Sequence, residues 1–158
     1  MTKIEEYELL QKQVEAIIGN EVDTIANMAN ISALLFDNLA DVNWVGFYRV
    51  VANELVLGPF QGKIACIRIP VGKGVCGTAV GENSTQRIAD VHSFPGHIAC
   101  DATSNAEIVI PVVVEGKVIA VLDIDSTKFD RFDLQDQNGL EAIISLFENI
   151  IIKHGVVN

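Results

Sequence analysis

Apolar residues recur at helical spacing near both ends of the chain. The first helix is expected to end near Gly19 and Asn20, and a second follows at once. The segment 133–153 repeats the pattern, with Gly155 as its stop. Helices are therefore predicted over about 1–40 and 133–155. Their apolar faces comprise Ile4, Tyr7, Leu10, Val14, Ile17 and Ile18; Val22, Ile25, Met28, Ala29, Leu34, Leu35 and Leu39; and Leu140, Ile143, Ile144, Phe147, Ile150 and Ile151.

The central part of the chain has the β-branched, aromatic composition that is typical of strands. Ala52–Glu54 and Glu115–Gly116 predict tight turns, and Gly58 and Pro59 are expected to end the second strand. Helices that bracket mostly antiparallel strands indicate an α+β fold: one domain over 1–158, with a central six-stranded sheet and the N- and C-terminal helices packed on one face. The predicted strands are Trp44–Val51, Leu55–Leu57, Ile64–Ile69, Gln86–Val91, Glu107–Val114 and Lys117–Asp125.

Composition and charge narrow the class of protein. The chain has 158 residues, of which 49% are hydrophobic, and its formal net charge is −10. This composition excludes a disordered chain. Nucleic acid and anionic membranes are not expected partners, because the few basic residues are scattered. The longest apolar stretch, Ile108–Val114, is too short to span a bilayer. We expect a cytoplasmic protein without an export signal.

Three cysteines cannot all pair within one chain. They are Cys66, Cys76 and Cys100. Cys100 falls in the irregular stretch 92–106, which is longer than most connections and is therefore expected to be a lid or binding loop. Free cysteines mostly behave as small buried hydrophobes. A cysteine on a polar loop therefore indicates a reactive thiol.

A glycine-rich stretch, Gly72–Gly77, matches the GxGxxG pattern, and Asp90 lies near the distance of a ribose-binding acid. A nucleotide site is not expected, because Val75–Gly81 is too short for the crossover helix of a βαβ unit. The stretch instead predicts a turn that opens a short helix. Cys76 would lie near the N-terminus of that helix, where the dipole lowers a thiol pKa.

Three kinds of chemistry use cysteines such as these. Structural zinc is disfavoured and no metal is predicted, because the cysteines are 10 and 24 residues apart and His97 with Cys100 is the one near pair. A cysteine hydrolase would pair Cys100 with His92 or His97 and leave two cysteines idle. Thiol redox chemistry, in which one cysteine attacks and another resolves a sulfenic acid, accounts best for the set.

Acidic and aromatic side chains mark a second candidate site. Asp123 and Asp125 are two residues apart on one strand and so share a face, and Glu107 opens the neighbouring strand. They are either a solvated strand end or a group of carboxylates that shares a proton. Trp44 and Tyr48 share a face of the first strand and form either a pocket wall or ordinary core.

Four segments resemble the free methionine-(R)-sulfoxide reductases, a family of GAF domains. The resemblance is strong over about 43–133 and looser in the flanking helices. The segments are VNWVGFYRV, GPFQGKIACIRIPVGKGVCGTAV, FPGHIACDATSNAEIVIPV and VIAVLDIDS. GAF domains in general are mostly ligand sensors, so the fold alone does not indicate an enzyme. The three cysteines are the residues that favour an enzyme over a sensor.

The resemblance implies a role for each candidate residue. Cys100 matches the cysteine that attacks the sulfoxide sulfur, Cys66 the resolving cysteine, and Cys76 a third cysteine without an assigned role. The substrate would be free methionine-(R)-sulfoxide, the reductant thioredoxin, and no cofactor would be bound. The substrate-binding positions implied are Trp44, Tyr48, Glu107, Asp123 and Asp125.

The main alternative function is a GAF sensor that binds a small metabolite or cyclic nucleotide without chemistry. We expect a partner to supply the output domain of such a sensor, because the 158 residues are predicted to form one domain. A hydrolase is the third alternative. A homodimer is a reasonable expectation if the flanking helices expose apolar faces.

Overall fold

Four helices and six strands make up the protein in a computed structural model that describes residues 1–98 and 102–155. None of the helices in these two ranges is both long enough and apolar enough to cross a bilayer. In chain order the elements are α1 Lys3–Ile18, α2 Thr24–Asn38, β1 Trp44–Val51, β2 Glu54–Gly62, β3 Arg68–Pro70, α3 Gly74–Glu82, β4 Gln86–Ile88, a 3₁₀ turn Val91–Ser93, β5 Ala106–Val114, β6 Lys117–Ser126 and α4 Leu134–His154.

The six strands form a single sheet in the order β3-β2-β1-β6-β5-β4, and every neighbouring pair is antiparallel. Two hairpins have two-residue turns with positive φ at both positions, Ala52–Asn53 and Glu115–Gly116. Turns of this kind match the right-handed twist of paired strands. The predicted α+β class, with a six-stranded sheet flanked by terminal helices, is confirmed.

Three strands differ from their predicted bounds by more than one residue. The second strand does not end at Gly58 and Pro59 but continues to Gly62, because the register against β1 shifts there and a bulge accommodates a proline. The third strand is only β3, since 64–67 forms a loop. The fourth strand ends at Ile88, where Asp90 caps the 3₁₀ turn by accepting from the backbone N–H of His92.

One face of the sheet, here called the helix face, packs against α1, α2 and α4. Alternate strand residues point into it, including Val45 and Phe47 of β1 and Leu122 and Ile124 of β6. They meet the apolar faces of the helices and form a fully apolar cluster. Burial on this scale supplies most of the stability expected for a domain of this size.

The first and last helices are joined by a buried polar contact at the edge of the helix face. Asp136, which is 1% exposed, accepts hydrogen bonds from the Tyr7 hydroxyl at 2.8 Å, Lys3 Nζ at 2.9 Å and Arg131 Nη1 at 3.2 Å. Asp133 and Asp136 also form a capping box at the start of α4. The charge of Asp136 is therefore well compensated.

The opposite face, here called the site face, is covered by α3 and the loops on either side of it. Its smaller cluster is built from the other residues of the same strands. Unlike the helix face, it contains a thiol and carboxyl groups among the apolar side chains. The cluster includes Trp44, Tyr48, Leu55, Ile69, Val75, Cys76, Ala79, Val109, Val118 and Val121.

Candidate active site

A narrow cavity opens on the site face between β1, the ends of β5 and β6, and the start of α3. Aromatic and aliphatic side chains form its walls, and polar groups converge on one side. An apolar cavity with a few convergent polar groups is the usual form of a small-molecule site. It is lined by Trp44, Tyr48, Ile64, Ala65, Ile69, Gly74, Val75, Cys76, His97, Ile98, Ser104, Glu107, Asp123 and Asp125.

Three carboxyl groups reach this cavity from neighbouring strands. Glu107 of β5 lies opposite Asp125 of β6 in the register, and Asp123 follows two residues away on the same face. Glu107 is 7% exposed and Asp123 6%, whereas Asp125 is half-buried. The predicted juxtaposition of the three acids is present, and they do not form a solvated strand end.

The buried pair of acids holds protons more tightly than ordinary carboxyl groups do. Burial raises the pKa of Glu107 well above its usual range, and the charges of Asp123 and Asp125 raise it further. Burial also raises the pKa of Asp123, although hydrogen bonds from Glu107 and Cys76 oppose this shift. Like charges so close together cannot both ionise readily. The pair therefore keeps a proton that is available for transfer to a ligand.

Cys76 lies in the first turn of α3 with its thiol turned toward the acids. Its Sγ is 4.0 Å from Glu107 Oε2. Burial raises the pKa of the thiol, and the charges of Asp123 and Glu107 raise it further. The predicted lowering by the helix dipole is wrong, because desolvation and two acids outweigh the N-terminal N–H groups. Cys76 is a protonated thiol and a poor nucleophile.

One carboxylate oxygen of the site has no protein partner. Asp123 Oδ1 is buried and accepts no hydrogen bond within 1–98 and 102–155. Leaving such an oxygen without a donor is unfavourable. A ligand that brings an N–H or O–H group into the cavity would satisfy it.

The same side chains have the composition of a metal-ligand group. The candidate ligand atoms of Cys76, Glu107 and Asp123 all lie within 4.8 Å of one another. A metal centre needs deprotonated ligands. Burial raises the pKa of all three groups, so the cluster favours binding protons over binding a cation.

His97 is a titratable side chain that lies close to the acids. Its Nε2 lies 3.8 Å from Glu107 Oε1. Burial lowers the pKa of His97, and the nearby charge of His92 lowers it further, so the ring favours the neutral form. His92, in contrast, lies outside the cavity with its Nε2 2.9 Å from Asn105 Oδ1.

Aromatic side chains of β1 and β2 form one wall of the cavity. Trp44 lies between Tyr48 and Phe60, with ring centroids 5.9 Å and 5.2 Å away and planes tilted by 23° and 15°. Gly46 makes this packing possible, because a Cβ there would lie 2.3 Å from Phe60 Cβ. The predicted pocket wall of Trp44 and Tyr48 is present, although both residues also belong to the core of the site face.

The same two aromatic residues hold the loop that carries Cys66. Trp44 Nε1 donates to the carbonyl oxygen of Lys63 at 3.1 Å, and the Tyr48 hydroxyl donates to the carbonyl oxygen of Cys66 at 2.8 Å. Burial and the charge of Asp123 raise the pKa of Tyr48, which keeps the hydroxyl a donor. Cys66 is half-buried and disulfide-bonded, whereas Cys76 is a free thiol. Hydrogen bonds thus connect the aromatic wall of the cavity to the loop that carries Cys66.

The cavity includes most of the predicted site residues and some that the sequence did not suggest. Cys100, predicted as the attacking cysteine, lies outside the described residues. Cys66 does not line the cavity but lies next to lining residues. Ser104 is a site residue that the sequence analysis missed. It is buried in the cavity lining, and its hydroxyl accepts a hydrogen bond from Asn43 Nδ2 at 3.1 Å. The sequence signal for it was only its place in the long irregular stretch.

The fold and the site place the chain among the GAF domains, whose family matches residues 21–151. The free methionine-R-sulfoxide reductase of Escherichia coli is 55% identical over 151 residues, which span 96% of this chain and 92% of that protein. The reductase of the same name from Saccharomyces cerevisiae is 43% identical over 154 residues, which span 92% of this chain and 86% of that protein.

A solved structure gives the same relationship. The X-ray structure of the free methionine-R-sulfoxide reductase from Neisseria meningitidis in complex with its substrate superposes with a TM-score of 0.93 at 40% identity, covering 98% of this chain and 92% of that one. The chain belongs to the free methionine-(R)-sulfoxide reductase family of GAF domains.

Proposed function

We propose that the protein reduces free methionine-(R)-sulfoxide to methionine by thiol chemistry. The observation that carries this proposal is the buried, proton-holding pair of Glu107 and Asp123 beside the wall of Trp44 and Tyr48. Sulfoxide reduction needs a proton at the oxygen and an apolar surface for the methyl group, and this cavity offers both. Family membership supports the same reaction.

The substrate's two ends have complementary groups in the cavity. The S-methyl group would pack on the ring of Trp44. The ammonium group would pair with the acids, and Asp123 Oδ1 is the oxygen that lacks a donor among the described residues. A free amino acid carries this ammonium group, whereas a methionine residue within a protein does not. The acids therefore favour the free amino acid as the substrate.

Reduction would start with attack by the thiolate of Cys100 on the substrate sulfur. Glu107, whose pKa is raised most clearly by burial and by the neighbouring acids, would give its proton to the sulfoxide oxygen. The oxygen passes to Cys100 as a sulfenic acid, and methionine leaves with the electron pair on its sulfur. The half-reaction consumes one thiolate and one proton and needs no bound cofactor.

The second half-reaction would return the protein to its reduced state. The thiol of Cys66 would attack the sulfenic sulfur of Cys100, forming a disulfide and releasing water. A dithiol protein of the thioredoxin type would then reduce the disulfide. The redox states of the cysteines support this division of roles, since Cys66 is disulfide-bonded and Cys76 is a buried free thiol.

The test is consumption of NADPH through thioredoxin reductase and thioredoxin with free methionine-(R)-sulfoxide as substrate. The wild-type protein should turn over, and Cys100→Ser should abolish the reaction. Cys66→Ser should release about one equivalent of methionine per chain and then stop, because only recycling needs the second thiol. Cys76→Ser is the matched control and should continue to recycle.

Three results would contradict this account. Normal turnover by Cys100→Ser would remove the proposed attacking residue. If Cys76→Ser stops after one equivalent and Cys66→Ser recycles, the resolving role belongs to Cys76 instead. Absence of turnover by the wild-type protein, together with tight nucleotide binding, would favour a sensor.

A further inference from the structure

The loop that carries Cys66 exposes large apolar side chains to solvent. Ile64 is 91% exposed, more than any other large apolar side chain among residues 1–98 and 102–155, and Ile67 is 67% exposed. Both lie within two residues of Cys66 in the sequence. We call residues 63–68 the redox loop. Exposed apolar side chains grouped in this way are typical of a surface that a partner covers.

The redox loop is held in place by its backbone. Trp44 and Tyr48 bind the carbonyl oxygens of Lys63 and Cys66, and the backbone N–H of Leu57 donates to the carbonyl oxygen of Ile67 at 2.9 Å. The apolar side chains are therefore presented by an ordered backbone. A partner that binds them loses little free energy to ordering of the loop.

The segment of sequence that contains the redox loop is basic, in contrast to the chain as a whole. The net charge of the protein is −10, yet the segment 55–81 contains no Asp or Glu. It carries three exposed basic residues, Lys63, Arg68 and Lys73. Arg68 has one acidic neighbour, Glu54, at 3.4 Å. A basic rim around an apolar patch fits a partner with an acidic rim, because complementary charges steer association.

We infer that the redox loop is the docking surface for an acidic dithiol protein that reduces the disulfide at Cys66. This inference rests on the proposed function, from which it takes the catalytic disulfide. Ile64 and Ile67 would insert into the apolar surface around the partner's dithiol, and Lys63 and Arg68 would face its acidic rim. The partner then contacts the sulfur of Cys66 at the rim of the substrate cavity, which Ile64 lines and Ile67 does not.

The chemistry of this contact is a thiol–disulfide exchange. A thiolate of the partner attacks Cys66 Sγ, a mixed disulfide forms, and the sulfur of Cys100 leaves as a thiolate. The partner's second thiolate then attacks the partner's first sulfur in the mixed disulfide, which forms a disulfide within the partner and releases Cys66 as a thiolate. Two electrons pass from the partner's dithiol to the disulfide, and the partner leaves oxidised.

The test compares a protein reductant with a small one in the variant Ile67→Ser. Ile67 does not line the cavity, and its side chain is exposed. We expect kcat/KM for thioredoxin to fall about tenfold, as for other interface anchors, while the rate with dithiothreitol is unchanged. Release of methionine in a single turnover should also be unchanged. Ile4→Ser, another exposed isoleucine but on α1, is the matched control and should change none of these rates.

The contribution of charge to binding of the partner is tested by a second variant. Lys63→Glu should lower kcat/KM for thioredoxin, most strongly at low ionic strength, and leave the dithiothreitol rate unchanged. Equal thioredoxin kinetics in Ile67→Ser and wild type would overturn the inference. So would dissociation of a wild-type dimer by Ile67→Ser with normal recycling, since a second copy would then cover the loop. Failure of the proposed function is distinct, because wild-type protein would then release no methionine.

Discussion

The two faces of the sheet are built from the same strands but differ in what they bury. On β6, Leu122 and Ile124 point into the apolar helix face, whereas Asp123 points into the site face. On β1, Phe47 points one way while Trp44 and Tyr48 point the other. Because side chains alternate along a strand, the residues that stabilise the core lie on one face and the residues that line the cavity lie on the other.

The two faces also differ in the hydrogen-bond partners that surround their buried carboxyl groups. Asp136, at the edge of the helix face, has three side-chain donors and a capping backbone N–H. Glu107 and Asp123 on the site face lie beside each other, the thiol of Cys76 and the ring of His97, and burial raises their pKa values. Apolar burial on the helix face therefore stabilises the fold. Keeping protonated acids buried beside the cavity on the site face costs part of that stability.

The largest expected effect on stability comes from the helix face. Phe147 is fully buried, with its ring edge against Phe47 at 5.7 Å between centroids. Phe147→Ala should lower the free energy of unfolding by about 3–5 kcal/mol, measured by urea denaturation. Ile152→Ala on the same helix, where the side chain is 55% exposed, should change it by less than about 0.5 kcal/mol. Equal losses in both variants would contradict the assignment of the core.

The next effect separates the two acids of the site face by kinetics. Glu107→Gln should lower kcat about 100-fold, because an amide cannot transfer a proton to the sulfoxide oxygen. Asp123→Asn should instead act mainly on KM, since it removes the charge available to the ammonium group. Asp37→Asn, an exposed acid on α2, is the control. Unchanged kcat in Glu107→Gln would remove that residue from the role of proton donor.

The raised pKa of Glu107 also makes a prediction about stability and pH. The folded protein binds this proton more tightly than the unfolded chain, so the group contributes its full stability below about pH 4. That contribution is lost as pH rises toward the raised pKa. Glu107→Gln should therefore gain stability relative to wild type as pH rises above about pH 4, measured by urea denaturation across pH. A constant difference between the two proteins would show that the pKa of Glu107 is not raised.

The smallest expected effects come from removing one tyrosine hydroxyl on each face of the sheet. Tyr48→Phe removes the hydrogen bond to the Cys66 carbonyl. Because such a hydrogen bond contributes about 1 kcal/mol, its loss should slow disulfide formation about fivefold. Tyr7→Phe removes the hydrogen bond to Asp136 and should lower stability by a similar free energy without affecting disulfide formation. The readout is the lag between methionine release and loss of thiols. Equal lags in the two variants would contradict the proposed link between Tyr48 and the redox loop.

Periodicity predicted the elements that bury a continuous face. The helices near both ends, the two tight-turn hairpins and the mostly antiparallel pairing of the strands follow from local patterns, and the structure confirms them. The face shared by Trp44 and Tyr48, and that shared by Asp123 and Asp125, was also predictable, because side chains alternate along a strand.

Errors arose where tertiary context overrides a local pattern. A run of apolar residues predicted a strand at 64–69, but Ile64 and Ile67 are exposed in a loop held by Trp44 and Tyr48. The helix N-terminus suggested a lowered pKa for Cys76, yet burial raises that pKa, and acids from strands distant in sequence raise it further. Neither effect has a signature within a short window of sequence.

The most direct test of the central claim is a single turnover of the fully reduced protein with free methionine-(R)-sulfoxide and no reductant. Methionine and free thiols are counted in the same sample. We expect about one methionine released per chain and the loss of two of its three thiols, with no reaction of the S epimer. Methionine release without thiol loss, or no methionine at all, would contradict reduction by a cysteine pair at the site face.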